Sequence, residues 1–229
     1  MGEPVGLSRD WFKKSLVKNW PHDVGLAAAR NKMSKISLDI DLTWPDGKTK
    51  VFVPGEKLDA AWLPDSVKDW HLYAEAYREA AETVFQEWCT SKVHRDHLVF
   101  PLVFLYRHYV ELRLKETLQA ASRLLELPQD WKCDHRLDNL WKRLRPLIDR
   151  IWPDAPKADG DHVEAMIREF SERDAVAMEF RYPVTKEGKR TLTDLERLDV
   201  HNFHSAMKQL AAFLDGVSEG IAVYQQEQP

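Results

Sequence analysis

Between residues 103 and 118 the chain carries apolar side chains at helical spacing on two separate arcs. Val103, Tyr106, Val110 and Leu114 fall on one arc of a helical wheel, and Leu105, Tyr109 and Leu112 fall on the other. Such a helix must be covered from both sides, so it belongs at the centre of a bundle and the other elements are built around it. A polar stripe runs between the arcs: Arg107, Glu111 and Lys115 at spacing four, with His108 beside it. Opposite charges four residues apart support a helix by roughly 0.2–0.5 kcal/mol per pair. The stripe has two readings. It satisfies itself as a ladder, or it lines a cleft or a dimer seam, because long charged side chains are seldom buried unless paired.

Helical periodicity also governs the flanks of this element. Val67, Trp70, Ala74, Tyr77, Ala81, Val84 and Trp88 step by three and four after Pro64, with Asp65 or Ser66 as cap. The central helix is expected to run from near Arg95 to about Leu125, with Pro101 tolerated near its start. A further helix over about 136–151 is expected to kink or break at Pro146, and another covers about 160–178. The last is expected to start near Thr193, with Glu196 completing a capping box, and to carry Phe203, Met207, Leu210, Leu214, Val217, Ile221 and Tyr224 on one face. Short connections between these elements predict a mainly α, antiparallel bundle of four to five helices over about 64–226. Residues 1–60 read as an appendage. It consists of a short helix from Ser8 to Trp20 and a β-hairpin over about 35–53, where Ile36, Leu38, Ile40 and Leu42 alternate with polar residues ahead of Pro45-Asp46-Gly47.

Composition removes several functional classes. The 229 residues carry a net charge of −4, so the chain as a whole has no strongly basic nucleic-acid footprint. No window approaches the roughly 18 apolar residues of a membrane-spanning helix, no secretory leader is visible at Met1, and the two cysteines, Cys89 and Cys133, fit a reducing cytoplasm. Neither a phosphate-cradling Gly-rich loop nor a Gly-x-Ser-x-Gly elbow occurs. The histidine pairs His94/His97 and His201/His204 lack the further ligands of a metal centre, so neither metal nor cofactor is expected. Trp70, Trp88, Trp141 and Trp152 fall at core or helix-end positions. The cations Lys132, Arg136, Lys142, Arg143, Arg145 and Arg150 are read first as a solvated outer face, with contact to RNA or an acidic partner as the alternative.

Three motifs in order resemble one family. The run Tyr106-Arg107-His108-Tyr109-Val110-Glu111-Leu112-Arg113-Leu114-Lys115 is similar to the second helix of HEPN (higher eukaryotes and prokaryotes nucleotide-binding) domains, where an apolar run passes into Glu-Leu-x-Leu-Lys. The His-x-Leu that opens the next helix in such domains is matched by His135-Arg136-Leu137, and the Arg-Tyr-Pro ahead of the last helix by Arg181-Tyr182-Pro183. Order and spacing agree over roughly 66–224, and residues 1–60 have no counterpart. The resemblance implies a helical bundle, usually a homodimer, from bacterial conflict systems: toxin–antitoxin pairs, phage defence and nucleotidyltransferase-like partners, with RNA or a nucleotide as ligand. It makes Arg107, His108, Glu111, Lys115, His135, Arg181 and Tyr182 the candidate binding cleft. His135 is expected at a helix N-terminus, and Arg181 is expected to pair with an acidic residue, Glu111 or Glu179.

Many members of that family are metal-independent ribonucleases using an arginine and a following histidine. Here that pair would be Arg197 and His204, two helical turns apart and therefore on one face if the last helix starts at Thr193. A neutral histidine would accept the ribose 2′-OH proton while arginine holds the phosphate. Leu198 stands where the family has a polar residue, and Lys208 and Asp215 continue the stripe as a solvated face does. The first reading is therefore a dimeric binding or regulatory module without catalysis of its own. The ribonuclease is the alternative.

Overall fold

A computed structural model describes residues 50–53, 61, 63, 70–91, 93, 95–128, 134–174 and 177–227. Two compact units are distinguished, Met1–Trp62 and Leu63–Pro229. In the first, residues 50–53 are exposed and form no strand; the expected helix and the rest of the hairpin lie outside the described residues. The second unit is mainly helical. We number its helices α1 (Trp70–Thr90), α2 (Val99–Leu124), α3 (Leu137–Ile151), α4 (Lys157–Arg173) and α5 (Val200–Glu227), with a 3-10 turn, Asp96–Leu98, leading into α2. No helix among the described residues is long and apolar enough to cross a membrane.

The two-sided apolar pattern places α2 where it should be, against α1, α3 and α5 at once. Leu102, Tyr106, Tyr109, Val110 and Leu114 are buried on it, and they meet Leu140, Trp141 and Leu144 of α3 and Leu210 and Leu214 of α5 in one core. Each such side chain contributes about 1.5–3 kcal/mol by leaving water. Paired residues climb α2 as they descend α1 (Tyr106 with Glu82, Arg113 with Glu75), so these two helices are antiparallel. Tyr106 meets Phe203, Tyr109 meets Asp215 and Glu116 meets Ser218, so α5 runs parallel to α2. The bundle is therefore not a simple up-and-down series: α2 ends at Leu124, yet the entry of α3 at His135 and the exit of α4 at Asp174 both lie beside Arg107, near the start of α2.

Three boundaries depart from expectation. Helix α3 continues through Pro146, because the ring is exposed and the bond lost to Lys142 lies at another exposed residue. Helix α4 stops at Arg173 rather than near 178. The Asp174 carboxylate accepts the backbone N–H groups of Met178 (2.6 Å) and Glu179 (3.2 Å), a local alternative to further helix. Helix α5 begins at Val200, not Thr193. Its cap is Asp199, whose Oδ1 accepts the N–H of Asn202 at 3.0 Å, and Glu196 takes no part.

Two side chains fasten the outer helices through glycines. Arg145 lies against Gly160, so closely that a Cβ there would overlap its guanidinium, and it donates to the carbonyl of Lys157 at 3.0 Å. The expectation of a solvated Arg145 is corrected: its side chain is only 13 % exposed, and it bridges α3 and α4 through Asp149 and Asp161. Trp152 packs on Gly220 of α5 in the same way.

Candidate functional site

The stripe on α2 is buried. Arg107 is 1 % exposed, Glu111 3 % and Lys115 4 %. A buried ion needs partners for every polar atom, and the carboxylate between the two cations supplies them. Glu111 Oε2 accepts from Arg107 Nη1 at 3.1 Å, and Oε1 accepts from Lys115 Nζ at 2.7 Å. The remaining Arg107 nitrogens reach the chain beyond α2. Nη2 donates to the carbonyl of His135 at 2.9 Å, and Nε donates to the carbonyl of Asp174 at 3.2 Å. One guanidinium thus ties the central helix to the entry of α3 and the exit of α4.

His135 sits just ahead of the N-cap of α3, as expected. Its Nδ1 lies 2.8 Å from Glu111 Oε1, while its ring is 67 % exposed. An ionised carboxylate only accepts, so Nδ1 carries the hydrogen and Nε2 is turned away from the pair. Burial works against the Glu111 charge, but Lys115, His135 and Arg107 outweigh it and hold the carboxyl below the ordinary glutamate range. The site is held from below by Asp134, whose Oδ1 accepts the N–H of Arg136 and whose Oδ2 accepts from Asn139, each at 2.9 Å.

A second group continues from the same helix. His108 meets Tyr77 edge-on at 4.3 Å and lies nearly parallel to Phe104 at 6.0 Å. Burial pushes its pKa below the usual histidine value, against the pull of Glu111. Phe104 in turn faces the guanidinium of Arg181 at 5.2 Å, and Arg181 also faces Tyr182 at 5.3 Å. The expected ion pair of Arg181 is therefore corrected. Glu111 is already saturated, Glu179 accepts the N–H of Leu192, and Arg181 uses aromatic faces instead. Its loop is closed by Thr191 Oγ donating to the Tyr182 carbonyl at 2.7 Å, and it is bounded by two residues with positive φ, Ala177 (59°) and Leu192 (52°). Such conformations cost of order 1–3 kcal/mol each in non-glycine residues.

The two ribonuclease candidates do not share a helical face. Arg197 is exposed in the non-helical stretch before α5, whereas His204 is on α5. The difference follows from the late start of α5 at the Asp199 cap. His204 Nε2 lies 2.9 Å from Glu82 Oε2, and its ring stacks on Phe85 at 3.6 Å with an 8° tilt. Tyr106 donates to the other Glu82 oxygen at 2.6 Å. Burial opposes the Glu82 charge, but Tyr106 and His204 keep its pKa low, while burial and Glu82 push the Tyr106 phenol well up. His201 lies edge-on to Phe85 and Trp88. Among the described residues no group of three or more His, Cys, Asp or Glu is placed so that it could hold a metal ion.

Sequence reasoning misses a third buried cation. Arg113, 2 % exposed, pairs with Glu75 of α1, with Glu116 at 2.6 Å and with Asp215 of α5 at 2.9 Å, and Tyr109 donates to the same Asp215 at 2.9 Å. Only the spacing of Arg113 to Glu116 is visible locally; the other two partners lie on helices far away in the chain. Comparison with protein-family models, with curated proteins and with solved structures finds no match to this chain.

Proposed function

We propose that residues 64–226 form a HEPN-like domain acting as a dimeric binding or regulatory module of a bacterial conflict or toxin–antitoxin type system. The observation that carries the reading is the pairing of Glu111. Its carboxylate is spent on Arg107, Lys115 and His135, so the charges of α2 hold a frame together and leave the outer edge of one imidazole for a partner. Beside it, Arg181, Tyr182, His108 and Phe104 form a connected aromatic and cationic group. The motifs that suggest the family, around Glu111, at His135-Arg136-Leu137 and at Arg181-Tyr182-Pro183, are the segments that build these two groups. The exposed Arg197 and the carboxylate-bound His204 are placed separately, which favours a module over a nuclease.

The test is assembly. In sedimentation equilibrium the chain should weigh twice its 26.7 kDa. Co-expressed with the product of the adjacent gene, it should co-purify, and His135→Ala with Arg181→Ala should lose that partner while keeping wild-type helicity. A monomer that retains no neighbouring product would overturn the proposal.

A further inference from the structure

The segment between α4 and α5 holds out a short two-stranded arm, residues 181–191. The N–H of Thr185 donates to the Lys189 carbonyl at 2.7 Å, that of Gly188 to the Thr185 carbonyl at 3.0 Å, and that of Thr191 to the Pro183 carbonyl at 3.1 Å. Gly188, at φ 74°, makes the turn. Val184 and Arg190 face each other between these bonds as a non-hydrogen-bonded pair. The N–H and C=O groups of such a pair point outward, and among the described residues no hydrogen bond uses those of Val184 or Arg190. The arm is also accessible, with Tyr182 45 % and Val184 47 % exposed. Its edge is therefore open to a further extended chain.

Charge narrows the kind of chain. Arg181, Lys186, Lys189 and Arg190 stand on the arm against one carboxylate, Glu187, in a chain whose total is −4. None of these four cations forms an ion pair among the described residues. Glu187 is engaged in the turn, where its Oε2 accepts from Thr185 Oγ at 2.8 Å. Arg181 faces the rings of Phe104 and Tyr182, and a guanidinium on aromatic faces keeps its in-plane N–H donors for a carboxylate. On either side the sign reverses: residues 172–179 and 191–199 carry six carboxylates and two arginines. A polynucleotide is held by cations along its whole track. In this stretch the positive charge ends with the arm, which suits a short anionic segment.

We propose that this arm docks an acidic segment of a partner protein, added as an extended strand beside Val184. Main-chain bonds to Val184 hold the segment. Side chains of a strand alternate, so a segment that alternates acidic and apolar residues covers Tyr182 and Val184 with one set and turns its carboxylates to the arm's cations with the other. This docking rests on the reading of the chain as a binding module and names the chemistry of what is bound.

Fluorescence anisotropy on the full chain tests this with a labelled peptide of about eight residues in which glutamate alternates with valine. The peptide should bind saturably. Its glutamine-for-glutamate counterpart should bind about tenfold or more weaker, and so should its proline-for-valine counterpart, which keeps every carboxylate and loses main-chain donors. Lys189→Glu combined with Arg190→Glu, at exposed positions, should weaken binding as much while keeping the wild-type melting temperature. No saturable binding, equal binding of either altered peptide, unchanged affinity in the variant, or tighter binding of a labelled oligouridylate of equal charge would overturn the proposal. A dimer that retains the neighbouring gene product but not the peptide would remove the acidic segment and leave the module standing.

Discussion

Two ion networks lie on different sides of α2, and they are built in opposite ways. The first, Arg107–Glu111–Lys115, is closed within one helix and reaches out to the carbonyls of His135 and Asp174, to the Asp174 carboxylate and to an exposed imidazole. The second, around Arg113, gathers carboxylates from three helices: Glu75 of α1, Glu116 of α2 and Asp215 of α5. In the first an anion is surrounded by buried cations; in the second a buried cation is surrounded by carboxylates that remain about one-fifth exposed. The side with the buried remainder is the one that suffers when its centre is removed, because an exposed remainder hydrates.

The largest effect should therefore follow Glu111→Ala. It leaves Arg107 and Lys115 buried without their carboxylate, and urea unfolding should show a loss of about 3–5 kcal/mol. Arg113→Ala should cost less, about 2 kcal/mol, since Glu75, Glu116 and Asp215 turn to water. If the order were reversed, the contrast between the two networks would be wrong.

Titration sharpens the same contrast. His108 is held below its ordinary 6.5 in the fold, so the unfolded chain takes up that proton first. Stability should fall as pH drops below about 6.5, and this contribution is complete above it. Glu111 is held below its ordinary 4.5, so its stabilisation is present above 4.5 and is lost as pH falls through the lowered value. Urea midpoints across pH should show both losses. His108→Gln should flatten the upper one alone, and an unchanged upper slope would remove His108 from the account.

The same contrast separates what the sequence makes legible from what it hides. A period of three to four with charges at spacing four is local information, so the centrality of α2 and the Arg107–Glu111–Lys115 ladder can be read from the residues alone. The Arg113 network cannot, because Glu75 and Asp215 are distant in sequence and nothing in their own segments announces a partner. The start of α5 is obscured because Thr193-x-x-Glu196 imitates a capping box, while Asp199 supplies the cap that forms. That displacement of about two turns separates Arg197 from His204. Charge alone points Arg181 to a carboxylate, although aromatic faces are the partners within its reach.

A small effect on folding is expected from His135→Ala. The ring is largely exposed and Glu111 keeps Lys115 and Arg107, so urea unfolding should change by less than about 1 kcal/mol. A loss comparable to that of Glu111→Ala would make His135 part of the frame rather than its outward face.

The claim that this is a module rather than a nuclease predicts no effect at all in one assay. Purified chain incubated with total RNA in EDTA at micromolar concentration should leave the RNA intact, for wild type and His204→Ala alike. Degradation by the wild type that ends in 2′,3′-cyclic phosphates and is abolished by His204→Ala would contradict the account and make Arg197 and His204 its active site.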